Sequence, residues 1–176
     1  MLKDNEIRAF NTDGHGFIND LTIKGISLSE KKILILGAGG SAKGIINSLV
    51  KGKIKKIHIL TRTISKADEL ISQYKDSSEI SHYKDSNKYD LIINTTPISL
   101  NDDSINFPTD IFEPNSVSYD LFYSKVETKF QSWSKENGAG KIYDGLGMLI
   151  QQAALSFDIW NNFKPDTKGL AEKLGF

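Results

Sequence analysis

The stretch Lys32-Ile33-Leu34-Ile35-Leu36-Gly37-Ala38-Gly39-Gly40-Ser41-Ala42 decides the fold. Its first five residues are almost wholly apolar, as expected of a strand buried on both faces. The next six read G-x-G-x-x-A, and beyond them Ile45, Ile46, Leu49 and Val50 recur at helical spacing across Ser41–Lys51. A glycine at 37 permits the tight turn, Gly39 lets a pyrophosphate approach the backbone, and Ala42 allows close packing of helix on strand. The N–H groups and dipole at the start of that helix favour a phosphate anion. Gly37, Ala38, Gly39, Gly40 and Ser41 are therefore candidates for a dinucleotide cradle.

Working outward, short apolar runs alternate with helical patterns. Strands are predicted at Lys56–Leu60, Asp90–Asn94 and Ser116–Leu121, with a weaker one at Lys141–Tyr143. Helices are predicted at Ser65–Tyr74 and at Val126–Asn137, the latter ending at Gly138. This alternation predicts an α/β fold, a Rossmann-like, doubly wound parallel sheet with helices on both faces. Flanking helices are expected at Asp13–Lys24, Leu146–Phe163 and Thr167–Leu174. A doubly wound domain does not need them, so they read as connectors whose apolar faces pack on something outside this chain. The polar stretch Tyr74 to Asn87 reads as surface connections.

Composition narrows the function. The 176 residues carry 22 Lys plus Arg against 22 Asp plus Glu, a balance that argues against general nucleic-acid binding. The absence of cysteine excludes disulfides, thiolate metal sites and Cys nucleophiles, and fits a cytoplasmic location. No apolar run approaches the roughly 20 residues of a membrane helix. His15, His58 and His82 lack metal-type spacing, so no metal site is expected and all three read as structural or solvated.

The choice of dinucleotide rests on the end of the second strand. An NAD site usually places Asp or Glu there to hold the ribose 2′-hydroxyl. From Lys53 to Ser65 there is no acid, and the strand runs into Thr61-Arg62-Thr63, followed by Lys66. A guanidinium can stack on adenine and pair with a 2′-phosphate, which argues for NADP.

Six motifs, in order along nearly the whole chain, resemble the shikimate dehydrogenase family. They are Asn11-Thr12-Asp13-Gly14-His15-Gly16-Phe17; the Gly37–Ala42 turn; Thr61-Arg62-Thr63; Asp90–Pro97 (DLIINTTP); Tyr119–Tyr123 (YDLFY) with Thr128 and Phe130; and Gly145–Ala154 (GLGMLIQQAA). The resemblance implies NADPH-dependent reduction of 3-dehydroshikimate to shikimate, in aromatic amino-acid and chorismate biosynthesis. It also implies that Asp13 binds a substrate hydroxyl and forms the acidic half of a Lys–Asp catalytic pair, while Tyr123 and Gln152 contact substrate. Thr61, Arg62, Thr63 and Lys66 would surround the 2′-phosphate, and Thr96, Leu121 and Gly145 would lie along the nicotinamide half.

Three departures stand out. Thr61 replaces the family's Asn, and Ser99 stands where the family often has Gly, which reduces backbone freedom there. Only about ten residues precede Asn11, so the family's substrate domain, with its Ser-x-Ser motif and catalytic Lys, is largely absent and no Lys here occupies a matching motif. The expected layout is residues 1–24 as a remnant of that domain and hinge helix, 25–144 as the NADP-binding unit, and 145–176 as helices returning towards the missing part. The chain alone is expected to be inert or nearly so.

The same residues admit plainer roles. On spacing alone Asp13 reads as a helix N-cap, with Thr12 as a rival, and the two roles can coexist. Tyr123 follows a strand end, where it could be surface packing. Gln152 interrupts an apolar helix face and needs a partner, either a ligand hydroxyl or a nearby backbone group. Two rival functions remain: a non-catalytic NADP(H)-sensing module, and a quinate or shikimate dehydrogenase that uses NAD. Self-association through the flanking helices is a further expectation.

Overall fold

The computed structural model describes residues 2–3, 6–74, 79–85, 87–100 and 105–176. Two short strands, β1 (Leu2–Lys3) and β2 (Glu6–Ile7), pair antiparallel and lead into helix α1 (Asp13–Ile23). Then come β3 (Lys32–Leu36), α2 (Gly40–Val50), β4 (Lys56–Leu60), α3 (Ile64–Ser72) and β5 (Ile80–His82). The second half comprises β6 (Leu91–Asn94), a 3-10 turn at Pro97–Ser99, β7 (Val117–Asp120), α4 (Lys129–Glu136) and β8 (Lys141–Tyr143). Helices α5 (Leu146–Asn161) and α6 (Leu170–Lys173) close the chain.

Strands β3 to β8 form one parallel sheet in the order β5-β4-β3-β6-β7-β8. The chain works outward from β3 in one direction, then returns to lay β6 on its other side. The break between β3 and β6 is the topological switch point, where doubly wound sheets bind ligands outside the carboxyl ends of the strands.

Period-two alternation sorts the side chains into two cores. Ile33 and Ile35 face α1, α2 and α3, joining Phe17, Leu21, Ile45, Leu49 and Leu70. Leu34 and Leu36 face α4, joining Ile92, Phe112, Phe130 and Trp133. The flanking helix α1 is thus built into the sheet's own core: Phe17 and Leu21 are fully buried, and Phe17 meets Tyr119 edge-on at 5.0 Å. Helix α5 carries Phe157 and Trp160 outward, and Phe163 just beyond its end is exposed with them.

Several boundaries shift for local reasons. The third predicted strand starts one residue late because the Asp90 carboxylate accepts the Lys32 N–H at 2.8 Å and the Lys31 ammonium at 2.8 Å. The predicted helix at 126 begins instead at Lys129, where Thr128 and Gln131 form a capping box. Helix α5 stops at Asn161 because Asn162 turns left-handed, with φ 52°. The stretch read as surface connections contains an edge strand, β5. Only Ile80 of it is buried, so it leaves little hydrophobic signal.

Helices α1 and α5 touch backbone to backbone. A Cβ on Gly16 would lie 2.6 Å from that of Gln152, and one on Gly147 would strike the Asp20 carboxylate. Asp20 is buried between them, accepting the Tyr119 hydroxyl at 2.6 Å and the Lys24 ammonium at 2.7 Å. Burial, reinforced by the Asp20 charge, pushes the Tyr119 hydroxyl far up and keeps it a donor.

Candidate functional site

The parallel register brings the carboxyl ends of β4, β3, β6 and β7 into one row, with Leu36 level with Leu60 and Asn94, and Asn94 level with Asp120. Gly37 follows β3 with φ 106°, a conformation side chains rarely adopt, and a Cβ there would lie 2.5 Å from the Thr95 hydroxyl and 3.0 Å from Thr96. Its N–H bonds to Leu60 O at 2.7 Å, tying the glycine turn to the Thr61 loop.

Beyond Gly37 the crevice opens. Gly39 is the N-cap of α2 and extended, and a Cβ on Gly39 or Gly40 would meet no protein atom within 4 Å. The N–H groups of Gly40, Ser41 and Ala42 belong to the first helical turn and have no intrahelical acceptor. Arg62 and Lys66 are exposed beside it, and neither has an ion-pair partner among the described residues. The glycine turn, tied through Leu60 to the loop that bears Arg62, offers donors and exposed cations of the kind that suit a polyphosphate carrying an additional phosphate. Thr61 and Thr63 hold the loop's shape, with Thr63 N–H donating to the Thr61 hydroxyl at 3.3 Å.

On the other side of the switch point the polar groups satisfy one another. Asn94 donates to Asp120 Oδ1 at 2.9 Å, and its Oδ1 accepts the Thr96 N–H at 3.0 Å and the Thr96 hydroxyl at 2.6 Å. Asp120 also accepts the Ser99 hydroxyl at 2.6 Å, the Thr128 hydroxyl at 2.8 Å and the Phe122 N–H at 3.2 Å. Both Asn94 and Asp120 are fully buried, and the sequence, though it placed both in motifs, pointed to neither as a functional residue. Their signal was present: a polar residue ending an otherwise apolar strand, twice, in register. Ser99 adopts no positive φ, so the expected loss of glycine freedom is not felt; its hydroxyl is used as a tether.

Gly145 packs so closely that a Cβ would strike Leu121 O, bringing those two candidate residues together at the end of β7. Nearby, burial raises the Asp144 carboxyl against the pull of the Leu146 and Ser124 backbone groups and of Lys24.

The substrate candidates divide. Asp13 opens α1 against α2: a Cβ on Gly44 would lie 3.1 Å from its Oδ2. Thr12 occupies the N-cap position but makes no cap bond; its hydroxyl donates to Gln152 Oε1 at 3.1 Å and also meets Ser156 at 3.0 Å. Asp13 and Gln152 are therefore neighbours through Thr12, and the Gln152 amide spends a donor on Leu149 O. Tyr123 stands apart, partly exposed, stacked on Phe122 at 6.0 Å and meeting the tilted ring of Phe176 at 6.1 Å. His58 is structural: buried, it meets the Tyr89 hydroxyl at 2.6 Å.

Comparison with known proteins agrees with this fold. Residues 20–100 match the family model described as shikimate / quinate 5-dehydrogenase, and residues 145–174 match the shikimate 5′-dehydrogenase C-terminal domain. A shikimate dehydrogenase (NADP(+)) of Colwellia psychrerythraea is 41% identical over 176 residues, covering 98% of this chain and 64% of that protein. The chain belongs to the shikimate dehydrogenase family. Among solved structures, an Ael1 enzyme from Pseudomonas putida superimposes with TM-score 0.89 at 32% identity, over 98% of this chain and 65% of that one. Shikimate 5-dehydrogenase from Thermus thermophilus, solved with NADP(H) and shikimate, gives TM-score 0.81 at 29% identity, over 97% and 64%. The chain thus spans a little under two thirds of these relatives.

Proposed function

We propose that this chain is the NADP-binding part of a cytoplasmic, NADPH-dependent shikimate dehydrogenase that reduces 3-dehydroshikimate to shikimate in aromatic amino-acid biosynthesis. The observation that carries it is the open glycine turn at the start of α2, tied to a loop whose exposed Arg62 has no ion-pair partner among the described residues, in a chain whose relatives are NADP enzymes. Gly37 to Ser41 cradle the pyrophosphate. Thr61, Arg62, Thr63 and Lys66 surround the 2′-phosphate. Thr96, Leu121 and Gly145 line the nicotinamide half. Bound there, the coenzyme supplies the hydride. Asp13 and Gln152, adjacent at the α1–α5 crossing, orient substrate hydroxyls, joined by Tyr123.

The division into residues 1–24, 25–144 and 145–176 belongs to the same reading, as does near-inertness of these 176 residues alone. So does self-association through the flanking helices, by way of the exposed Phe157 and Trp160 of α5 and Phe163 just after it. Calorimetry with NADP, NAD and shikimate tests the reading. NADP binds, NAD binds far more weakly, and mixing NADP with shikimate yields no sustained turnover. Equal grip on NAD and NADP moves the assignment to an NAD-using quinate or shikimate dehydrogenase. Strong turnover by the chain alone overturns inertness. The NADP(H)-sensing alternative is eliminated if a separately supplied substrate domain restores turnover.

A further inference from the structure

We infer that Asp120 and Ser99 are positioning residues for the coenzyme: Asp120, bound at once to Asn94, Ser99 and Thr128, fixes the wall that receives the coenzyme's half beyond the pyrophosphate. The inference rests on the proposed NADP site and adds a role for residues outside it. Strand order supplies the path. With the 2′-phosphate at Arg62 above β4 and the pyrophosphate at Gly39–Ser41 above β3, the remainder of the molecule runs over β6 and β7. The loops there begin at Thr95 and Leu121, immediately after Asn94 and Asp120.

A carboxylate is an acceptor with about four lone-pair sites, and Asp120 meets four donors. They come from four places: the end of β6, the 3-10 turn, the loop after β7, and the cap of α4. The Asn94 side chain then holds both the N–H and the hydroxyl of Thr96. Thr96 is therefore tied through Asn94 to the buried Asp120, in addition to the bond its hydroxyl accepts from Ile98 N–H in its own loop. Ser99 adds a direct bond from the 3-10 turn that a glycine could not make. Fully paired buried networks of this kind rigidify their surroundings.

The experiment compares two ligands on the 176-residue chain: NADP, and adenosine 2′,5′-bisphosphate, which lacks the nicotinamide half. Ser99→Ala removes one tether and leaves the carboxylate three donors; Asp120→Ala removes all four. Ser99→Ala is expected to bind the bisphosphate like the parent and NADP about threefold to tenfold more weakly. Ser99→Thr, which keeps the hydroxyl, is expected to restore NADP binding. Asp120→Ala, if its melting transition shows it folded, widens the gap. A purely structural role lowers both ligands together, and that outcome overturns the inference, as does unchanged NADP binding by Ser99→Ala. If the parent chain binds neither ligand, the proposed coenzyme site itself fails, a result separate from insensitivity of the variants.

Discussion

The two halves of the sheet's carboxyl edge are built on opposite plans. Above β4 and β3, the first-turn N–H groups of α2 have no intrahelical acceptor, and Arg62 and Lys66 are exposed with no ion-pair partner within 4 Å among the described residues. Above β6 and β7, Asn94, Thr96, Ser99, Asp120 and Thr128 spend their hydrogen bonds on one another. Unpaired cations and donors stay hydrated and ready to exchange water for phosphate oxygens. A saturated buried network has nothing to exchange and can act only as a rigid surface. One half supplies charge and the other supplies shape.

That contrast breaks most completely at Gly37, which both halves share. Gly37→Ala forces a side chain into φ 106° and against Thr95. The expected result is loss of detectable NADP binding in calorimetry and a stability drop of about 1–3 kcal/mol in urea denaturation. Normal affinity in that variant removes the shared turn from the site. Next in size, Arg62→Glu deletes the countercharge on one half alone. NADP affinity is expected to fall about 100-fold, from lost charge-assisted bonds and new repulsion, while NAD affinity and melting temperature hold. An NADP titration that matches the parent separates Arg62 from the phosphate.

A third variant sharpens the comparison by touching a paired group remote from charge binding. Tyr119→Phe leaves Asp20 with Lys24 as its side-chain partner, and unfolding is expected to become about 1–3 kcal/mol easier. Adenosine 2′,5′-bisphosphate binding is expected to stay constant. The smallest effect concerns His58. Burial first, then Lys56, Lys84 and Lys32, lower its pKa below 6.5. The unfolded chain then binds more protons than the folded one in the window beneath 6.5, so stability rises with pH there. The contribution is complete above about 6.5 and is lost as pH falls. Asp144, raised by burial, slopes the opposite way from its own range, so the difference between parent and His58→Gln isolates the histidine. The urea midpoint of His58→Gln is expected to change less between pH 7 and pH 5; parallel curves discard the assignment.

Much of this was legible in the sequence where one residue type has one physical use. The run Lys32–Leu36 could only be a strand buried on both faces, and Gly37 could only mark a turn too tight for a side chain. Arg62 was singled out because the acid expected at that place is absent, and the structure leaves it exposed. Strand β5 was not, since Ile80-Ser81-His82 pairs along one edge and buries a single apolar residue. The Asn94–Asp120 pair was hidden because its meaning lies in register: the two are 26 positions apart, and only β6 beside β7 makes them partners. Likewise Phe17 and Leu21 looked available to an outside surface until α1 was placed on the sheet.

The clasp of Asp20 by Tyr119 and Lys24, beneath a glycine with no room for a methyl, has a mechanical consequence. It bolts α1 to the middle of β7, so α1 cannot swing or slide without tearing a buried bond. Asp13, two turns up the same rod, therefore keeps a constant gap to the glycine cradle.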